Sequence, residues 1–357
     1  MDKNAYRIFV INPGSTSTKV AYYENETLIS EKELDHPVDE LKKYKRPIEQ
    51  LAMRSAALKA YIAEAGIDLE QLDLIASRGS LGQGLKAGGY AVDAPLLHAH
   101  MTTKATHPAL LGAVLANEIV KEHPQVHAYI YDAPGLNEGD PIATITGLPE
   151  IRDDNGGHTL NHHAVGRMAA AQLGKSYQDA RLVVLHMGGG TSCGAHAGGR
   201  ILDMAKNTFT SIRCGNVPSN ALIKLCYSGK YTQEELTRLV SSQSGLFGYL
   251  GTGDLREIDR RIEDGDQDAA FYLEAMAYQM AKDIGQQATV LKGQVDAIVL
   301  TAGMARSKRL TDLITERVSF IAPVLVFPGA YEMEALVQGV LRIERGEEPV
   351  NAYPVKE

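Results

Sequence analysis

The chain repeats itself. Residues 7–18 (RIFVINPGSTST) and 181–192 (RLVVLHMGGGTS) align without a gap. Each is an apolar run, then a polar residue (Asn12 or His186), then a turn of Gly, Ser and Thr. Each continues into a second run of strand character, 19–23 and 193–197, and a tight turn follows at 24–26 (ENE) and 198–200 (GGR) before a third. Asn and Gly tolerate the positive φ that such hairpin turns demand. Later segments correspond too. Residues 72–77 (LDLIAS) and 295–300 (VDAIVL) each follow a helical stretch, and 129–132 (YIYD) and 324–327 (VLVF) each come after another helix. Both halves therefore read strand, strand, strand, helix, strand, helix, strand, helix. Three matched elements in one order indicate duplication. The expected architecture is two α/β lobes, each a mixed sheet opening with an antiparallel three-stranded meander.

Helices fill the intervals. Residues 47–65 carry Ile48, Leu51, Ala52, Ser55, Leu58 and Ile62 at helical spacing until Gly66 ends the run, and 109–122 behaves similarly before Pro124. The longest stretch, 267–292, sets Ala269, Leu273, Met276, Met280, Ile284 and Leu291 on one broad face, a stripe suited to core packing. No low-complexity linker interrupts the chain. The lobe boundary is expected in the 174–180 turn, giving lobes 1–175 and 176–345, a tail 346–357, and a last helix of about 330–345 crossing back.

A length of 357 residues suits two cores better than one. The net charge is −8, with Lys and Arg scattered, which argues against nucleic acid or an anionic membrane as the main partner. A few placed arginines can still make a local anion site. No apolar run approaches the ~18 residues of a membrane span. Met1-Asp2-Lys3-Asn4 leads at once into strand pattern, so no secretory leader is expected. Three cysteines (193, 214, 226) without a C-x-x-C pair suit a reducing cytoplasm rather than a disulfide framework.

A Gly/Ser/Thr turn between strands presents backbone N–H groups and hydroxyls with no bulk in the way, which is how a phosphate is cradled. One such turn also serves as an ordinary hairpin. Two, at equivalent positions of a duplicated chain, would face each other across a cleft and grip a nucleotide tail. Other nucleotide signatures fail. Gly174-Lys175-Ser176 ends like a P-loop, but Ala169 stands where its first Gly belongs. No G-x-G-x-x-G follows a strand to open a helix, and G-x-S-x-G is absent. His158 and His162 lie one helical turn apart, a zinc-like spacing, yet no Cys or acidic residue completes a ligand set.

Residues 10–19 (VINPGSTSTK), 186–196 (HMGGGTSCGAH) and 299–304 (VLTAGM) resemble the two phosphate motifs and the adenosine motif of the acetate/butyrate kinase family, closest to its butyrate kinases. Residues 225–232 (LCYSGKYT), 248–252 (GYLGT), 278–282 (YQMAK), 320–324 (FIAPV) and 332–336 (EMEAL) extend the resemblance over nearly the whole chain. It implies a duplicated RNase-H-like (actin-like ATPase) fold. It implies reversible phosphoryl transfer between ATP and butyrate or a related branched short-chain acid, giving acyl phosphate and ADP, with Mg2+ and a dimeric or larger homo-oligomer.

The resemblance also assigns roles. Arg78 matches the arginine that holds the carboxylate, Arg213 the one that steadies the phosphoryl, and His186 the histidine that hydrogen-bonds it. Asp132, at a strand end, matches a carboxylate that helps hold magnesium and orients the acid, with Asn12 and Glu332 reaching the metal or its waters, as hard oxygen ligands do. Gly14, Ser15, Ser17 and Lys19 form or support the first phosphate turn. Gly188, Gly189, Gly190 and Thr191 form the second, and Ala302 and Gly303 the adenosine turn. His107 and His158 match histidines lining the cleft, whereas His163 reads as a surface or packing residue.

Four departures stand out. The run 203–213 is shorter than the family's and lacks its acidic, glycine-rich stretch before the second arginine. Ala302 replaces the first adenosine-motif glycine, where a methyl crowds close approach. Gly156-Gly157 stand where an aromatic is expected, and Arg306 replaces a histidine. They keep open an alternative, a paralogue that binds nucleotide or acid with weak or no kinase activity.

Overall fold

The computed structural model describes residues 5–80, 85–105 and 107–354; residues 1–4, on which the no-leader expectation rests, lie outside them. The first repeat folds as β1 (Arg7–Pro13), β2 (Ser17–Glu24) and β3 (Thr27–Asp35), followed by β4 (Leu74–Ser77), β5 (Gly89–Ala91) and β6 (His127–Tyr131). The second gives β7 (Leu182–Met187), β8 (Thr191–Ala197), β9 (Arg200–Ala205), β10 (Ala297–Ala302) and β11 (Val324–Pro328). The sheets run β3-β2-β1-β4-β6-β5 and β11-β10-β7-β8-β9. Read from the meander inward they share one order, and in both the three-stranded meander is antiparallel while the later strands join in parallel. The short antiparallel β5 is an addition of the first sheet that the strand pattern did not reveal.

Packing divides the chain into a first unit, residues 1–138 with 331–357, and a second, residues 139–330. This differs from the expected division at 175, and the reason is sheet coverage. All of β4 and nearly all of β1 is buried, and parallel strands need helices on both faces. On one face Phe9, Ile11 and Val20 meet Leu58 and Leu111 from helices Leu51–Glu64 and Leu111–Glu122. The other face is covered by the last helix, Glu332–Glu344, against β1, β4 and β6. Conversely Thr159–Gln172, expected in the first lobe, packs on β7 and β10 of the second unit. Each repeat's final helix thus closes the sheet of the other repeat.

Glu348 and Asn351, beyond that helix, are tied to the first sheet. Asn351 donates its N–H to Gly89 O at 2.9 Å, and both carboxylate oxygens of Glu348 accept from the Tyr131 hydroxyl. In the second unit, the helix Gln267–Val290 lays Met276, Met280 and Ile284 over Val183 and Leu185, as its stripe predicts. No helix among the described residues is long and apolar enough to cross a membrane.

Candidate active site

In the first unit the C-terminal ends of β1, β4 and β6 lie side by side, because the three strands are parallel neighbours. Asn12 belongs to the end of β1, Arg78 follows β4 directly, and Asp132 follows β6. Glu332 opens the helix that crosses them. Its Oε2 accepts from Asn12 Nδ2 at 2.9 Å and from Arg78 Nη1 at 3.2 Å. Arg78 Nε is buried without a hydrogen-bond partner among the described residues. The backbone of Arg78 is held on both sides: its N–H donates to Ile11 O at 3.0 Å, and a Cβ on Gly112 would stand 1.8 Å from its carbonyl oxygen. Only glycine fits there, so the helix Leu111–Glu122 seats directly under the arginine. Asp132 is 1% exposed, and its φ of +40° is unusual for a residue with a side chain. It exchanges backbone contact with Gly88 while Oδ1 accepts the Gly88 N–H at 2.8 Å.

The turn expected to be the first phosphate cradle, residues 14–17, joins β1 to β2. Gly14 N–H donates to Ser17 O at 2.8 Å, closing it. Beneath it lies Arg54, fully buried, a residue the sequence reading passed over. Its Nη1 donates to Ser17 O at 3.0 Å and Thr18 Oγ1 at 2.9 Å, and Nη2 donates to Ser15 O at 3.2 Å. A signal existed: Arg54 interrupts an apolar stripe, three residues after Leu51 and four before Leu58. Burial pushes its guanidinium down to about 10, so it remains charged near neutrality. Thr18 Oγ1 in turn meets His36 Nε2 at 2.9 Å. Ser17 Oγ donates to Glu33 Oε1 at 2.6 Å. Lys19 is exposed, pairs across the ladder with Asn12, and lies 4.0 Å from the Glu33 carboxylate. It stands on the strand beyond the turn rather than at it.

In the second unit the turn 188–190 joins β7 to β8. His186 is buried; its Nδ1 meets Asn161 Oδ1 at 2.8 Å, and its ring stacks on His158 at 3.9 Å between centroids. A Cβ on Gly190 would stand 3.1 Å from His158 Nε2 and 3.3 Å from Arg213 Nη1. The shortened run before Arg213 therefore leaves it beside the turn. The run closes as a small hairpin with Phe209 bridged to Cys214 and Thr210 N–H donating to Arg213 O at 3.2 Å. Gly245, at φ +65°, seals it, because a Cβ there would lie 2.1 Å from Thr210 O. Arg213 is exposed and has no ion-pair partner among the described residues. Thr191 Oγ1 and Asn161 Nδ2 are buried without a hydrogen-bond partner among the described residues. His163, read as surface or packing, is buried within this cluster.

The turn expected to meet adenosine lies at the end of β10. Ala302 has φ +72° and ψ −168°, and its backbone pairs with Gly329 through bonds of 3.1 and 3.2 Å. That region of backbone space belongs almost wholly to glycine. Gly303 is exposed, and a Cβ there would meet nothing within 4 Å. Each unit thus carries an arginine and a Gly-rich turn, the parts an anion site needs.

Comparison with known proteins identifies the family and the fold. A profile of the acetokinase family matches residues 150–322. The chain is 40% identical to butyrate kinase 1 of Clostridium acetobutylicum, over 98% of this chain and 99% of that one. It is 41% identical to a probable butyrate kinase 2 of Caldanaerobacter subterraneus subsp. tengcongensis, over 98% and 99%. The crystal structure of Porphyromonas gingivalis acetate kinase superposes with a TM-score of 0.76 at 18% identity, covering 94% of this chain and 99% of the other. The likeness in structure establishes the duplicated actin-like fold. The identity, sustained along nearly the whole of both relatives, establishes descent: the chain belongs to the acetokinase family.

Proposed function

We propose that Arg78, Arg213 and the turn 188–191 serve phosphoryl transfer between ATP and a short-chain carboxylate, with butyrate or a branched relative as the acid. The protein is a short-chain carboxylate kinase. The observation that carries the assignment is Arg213, an arginine with no carboxylate partner among the described residues, lying against a triple-glycine turn. A carboxylate oxygen attacks the γ-phosphorus, the bond to the β-phosphate oxygen breaks, and ADP leaves. Every participant is anionic, so cations and in-line positioning do most of the work.

Arg78 binds the carboxylate, its unpartnered Nε supporting this role. Arg213 and His186 take the phosphoryl group. Residues 188–191 hold nucleotide phosphates, and Ala302 and Gly303 hold the adenosine. Gly14, Ser15 and Ser17 cradle phosphate in the first unit, with Lys19 adding positive charge nearby. Asn12, Asp132 and Glu332 offer oxygens of the hard type that magnesium takes, and the Asn12–Glu332 hydrogen bond already groups two of them. Bound magnesium would neutralise charge on the phosphates. Exposed Ile223, Tyr227, Phe247 and Phe271 in the second unit support a homo-oligomer. Acyl-hydroxamate formation with ATP, magnesium and a panel of C2 to C6 acids tests the reading. Turnover should peak near C4, and no product with any acid would refute it.

A further inference from the structure

From the glycine turn of the second unit a chain of hydrogen bonds runs into the interior. His158 Nδ1 meets Ser192 Oγ at 2.9 Å, and the same hydroxyl meets His162 Nε2 at 2.9 Å. His162 Nδ1 meets His196 Nε2 at 3.1 Å, and His196 Nδ1 meets the Tyr177 hydroxyl at 2.8 Å. Ser192, His162 and His196 are fully buried.

Two glycines make room for the joints of this chain. A Cβ on Gly194 would lie 3.0 Å from His162 Nδ1 and 3.2 Å from His196 Nε2. A Cβ on Gly166 would lie 2.7 Å from the Tyr177 ring and 3.4 Å from His196 Nδ1. Neither glycine has a positive φ, so space rather than backbone freedom is what each supplies.

Burial holds both His162 and His196 well below the ordinary imidazole value, with neighbouring histidines adding to it and Arg167 acting on His196. A neutral imidazole has one N–H and one lone pair, and a hydroxyl has one proton to donate. Among the described residues Ser192 Oγ meets only His158 and His162, so its buried proton goes to one of them and the chain can be ordered without a fault in only two ways. In one, Tyr177 donates to His196, His196 to His162, His162 to Ser192 and Ser192 to His158 Nδ1, which leaves the His158 proton on Nε2. In the other, every bond is reversed and Nε2 carries a lone pair. A phenol is a stronger acid than a neutral imidazole N–H, so the Tyr177 end favours the first order. At the opposite end, His158 Nε2 lies 3.1 Å from where a Cβ on Gly190 would stand, at the turn itself.

We propose that this relay sets the tautomer of His158, so that Nε2–H donates to a phosphoryl group held at residues 188–190. Tyr177, which does not touch substrate, is then a positioning residue for the transfer. The phosphoryl part rests on the kinase reading above; the tautomer does not. Long-range proton–nitrogen correlation spectra of the full-length protein, labelled with 15N-histidine and recorded with and without inorganic phosphate, read the tautomer directly.

The wild type should show His158 protonated on Nε2. Tyr177→Phe should give a mixture of tautomers at His158 and His196, lower kcat about 5- to 10-fold and leave the nucleotide KM and the thermal midpoint nearly unchanged. Gly194→Ala, wedged at the His162–His196 joint, should produce the same scrambling at His158. The proposal is overturned if wild-type His158 carries its proton on Nδ1, or if Tyr177→Phe moves neither tautomer nor kcat. A protein that shows the expected tautomers yet phosphorylates no acid refutes the kinase reading and leaves the relay supported.

Discussion

Arg78 and Glu332 form an ion pair at 3.2 Å although 254 residues separate them in the chain. The pair holds Nη1 and leaves the buried Nε without a partner, so the guanidinium is both oriented and unfinished. If that unfinished edge binds the carboxylate through the transition state, Arg78→Ala should lower kcat by about 10²–10³ with a modest change in nucleotide KM. Asp132→Ala should behave alike. Steady-state hydroxamate assays decide it, and untouched activity in both variants would place the centre elsewhere.

Arg213 is the discriminating arginine. It rests on a shortened run, yet its Nη1 lies 3.3 Å from the position of a Cβ on Gly190. Arg213→Ala should therefore cost as much in kcat as Arg78→Ala, about 10²-fold or more. Gly245→Ala should lower kcat in the same direction, because a methyl there displaces the Thr210–Arg213 hairpin. Little change in either variant would mean another cation has taken over.

Ala302 occupies backbone space that costs a side-chain-bearing residue about 1–3 kcal/mol. Ala302→Gly relieves this, less the ~0.5–1 kcal/mol that glycine loses in chain entropy on folding. The variant should unfold at a midpoint about 2–4 °C higher, on the scale of about 1 kcal/mol for a domain of this size. The nucleotide KM should fall as well. A lower midpoint in differential scanning calorimetry would contradict the strain.

His36 makes stability depend on acid. Desolvation, and then the Arg54 charge, push its imidazole down to about 4. The hydrogen bonds are compatible with this: Thr18 Oγ1 accepts from Arg54 and keeps its own proton to donate to a neutral His36 Nε2. The folded pKa lies below the unfolded value of about 6.5, so this contribution is complete above that pH and is lost as pH falls from about 6.5 toward 4. The loss approaches ~1.4 kcal/mol per pH unit across that window. Urea unfolding at pH 7.5, 6 and 5 should show a smaller acid loss in His36→Asn than in the wild type. Equal slopes would argue that His36 protonates normally.

Local pattern carried much of this protein. Apolar alternation and turn chemistry depend on neighbours within a few residues, so the repeat was enough to determine both meanders, the shared order of elements along the chain and the helices 47–65 and 267–292 to within a few residues. The turns 14–17 and 188–190 were legible as tight strand connections for the same reason, since Gly, Ser and Thr act through their own backbone. What only the tertiary structure decided involves partners distant in sequence. The last helix was expected to cross back, but that 159–172 covers β7 and β10 instead of its own repeat's sheet follows from the need to cover both faces of parallel strands, and nothing local in that segment records it. Arg54 under the first turn, Asn12 on Glu332, Arg213 beside Gly190 and Tyr177 on His196 are packing outcomes. Their geometry exists only once strands and helices have docked, because a side chain finds its partner through the surface its element buries and not through its place in the chain.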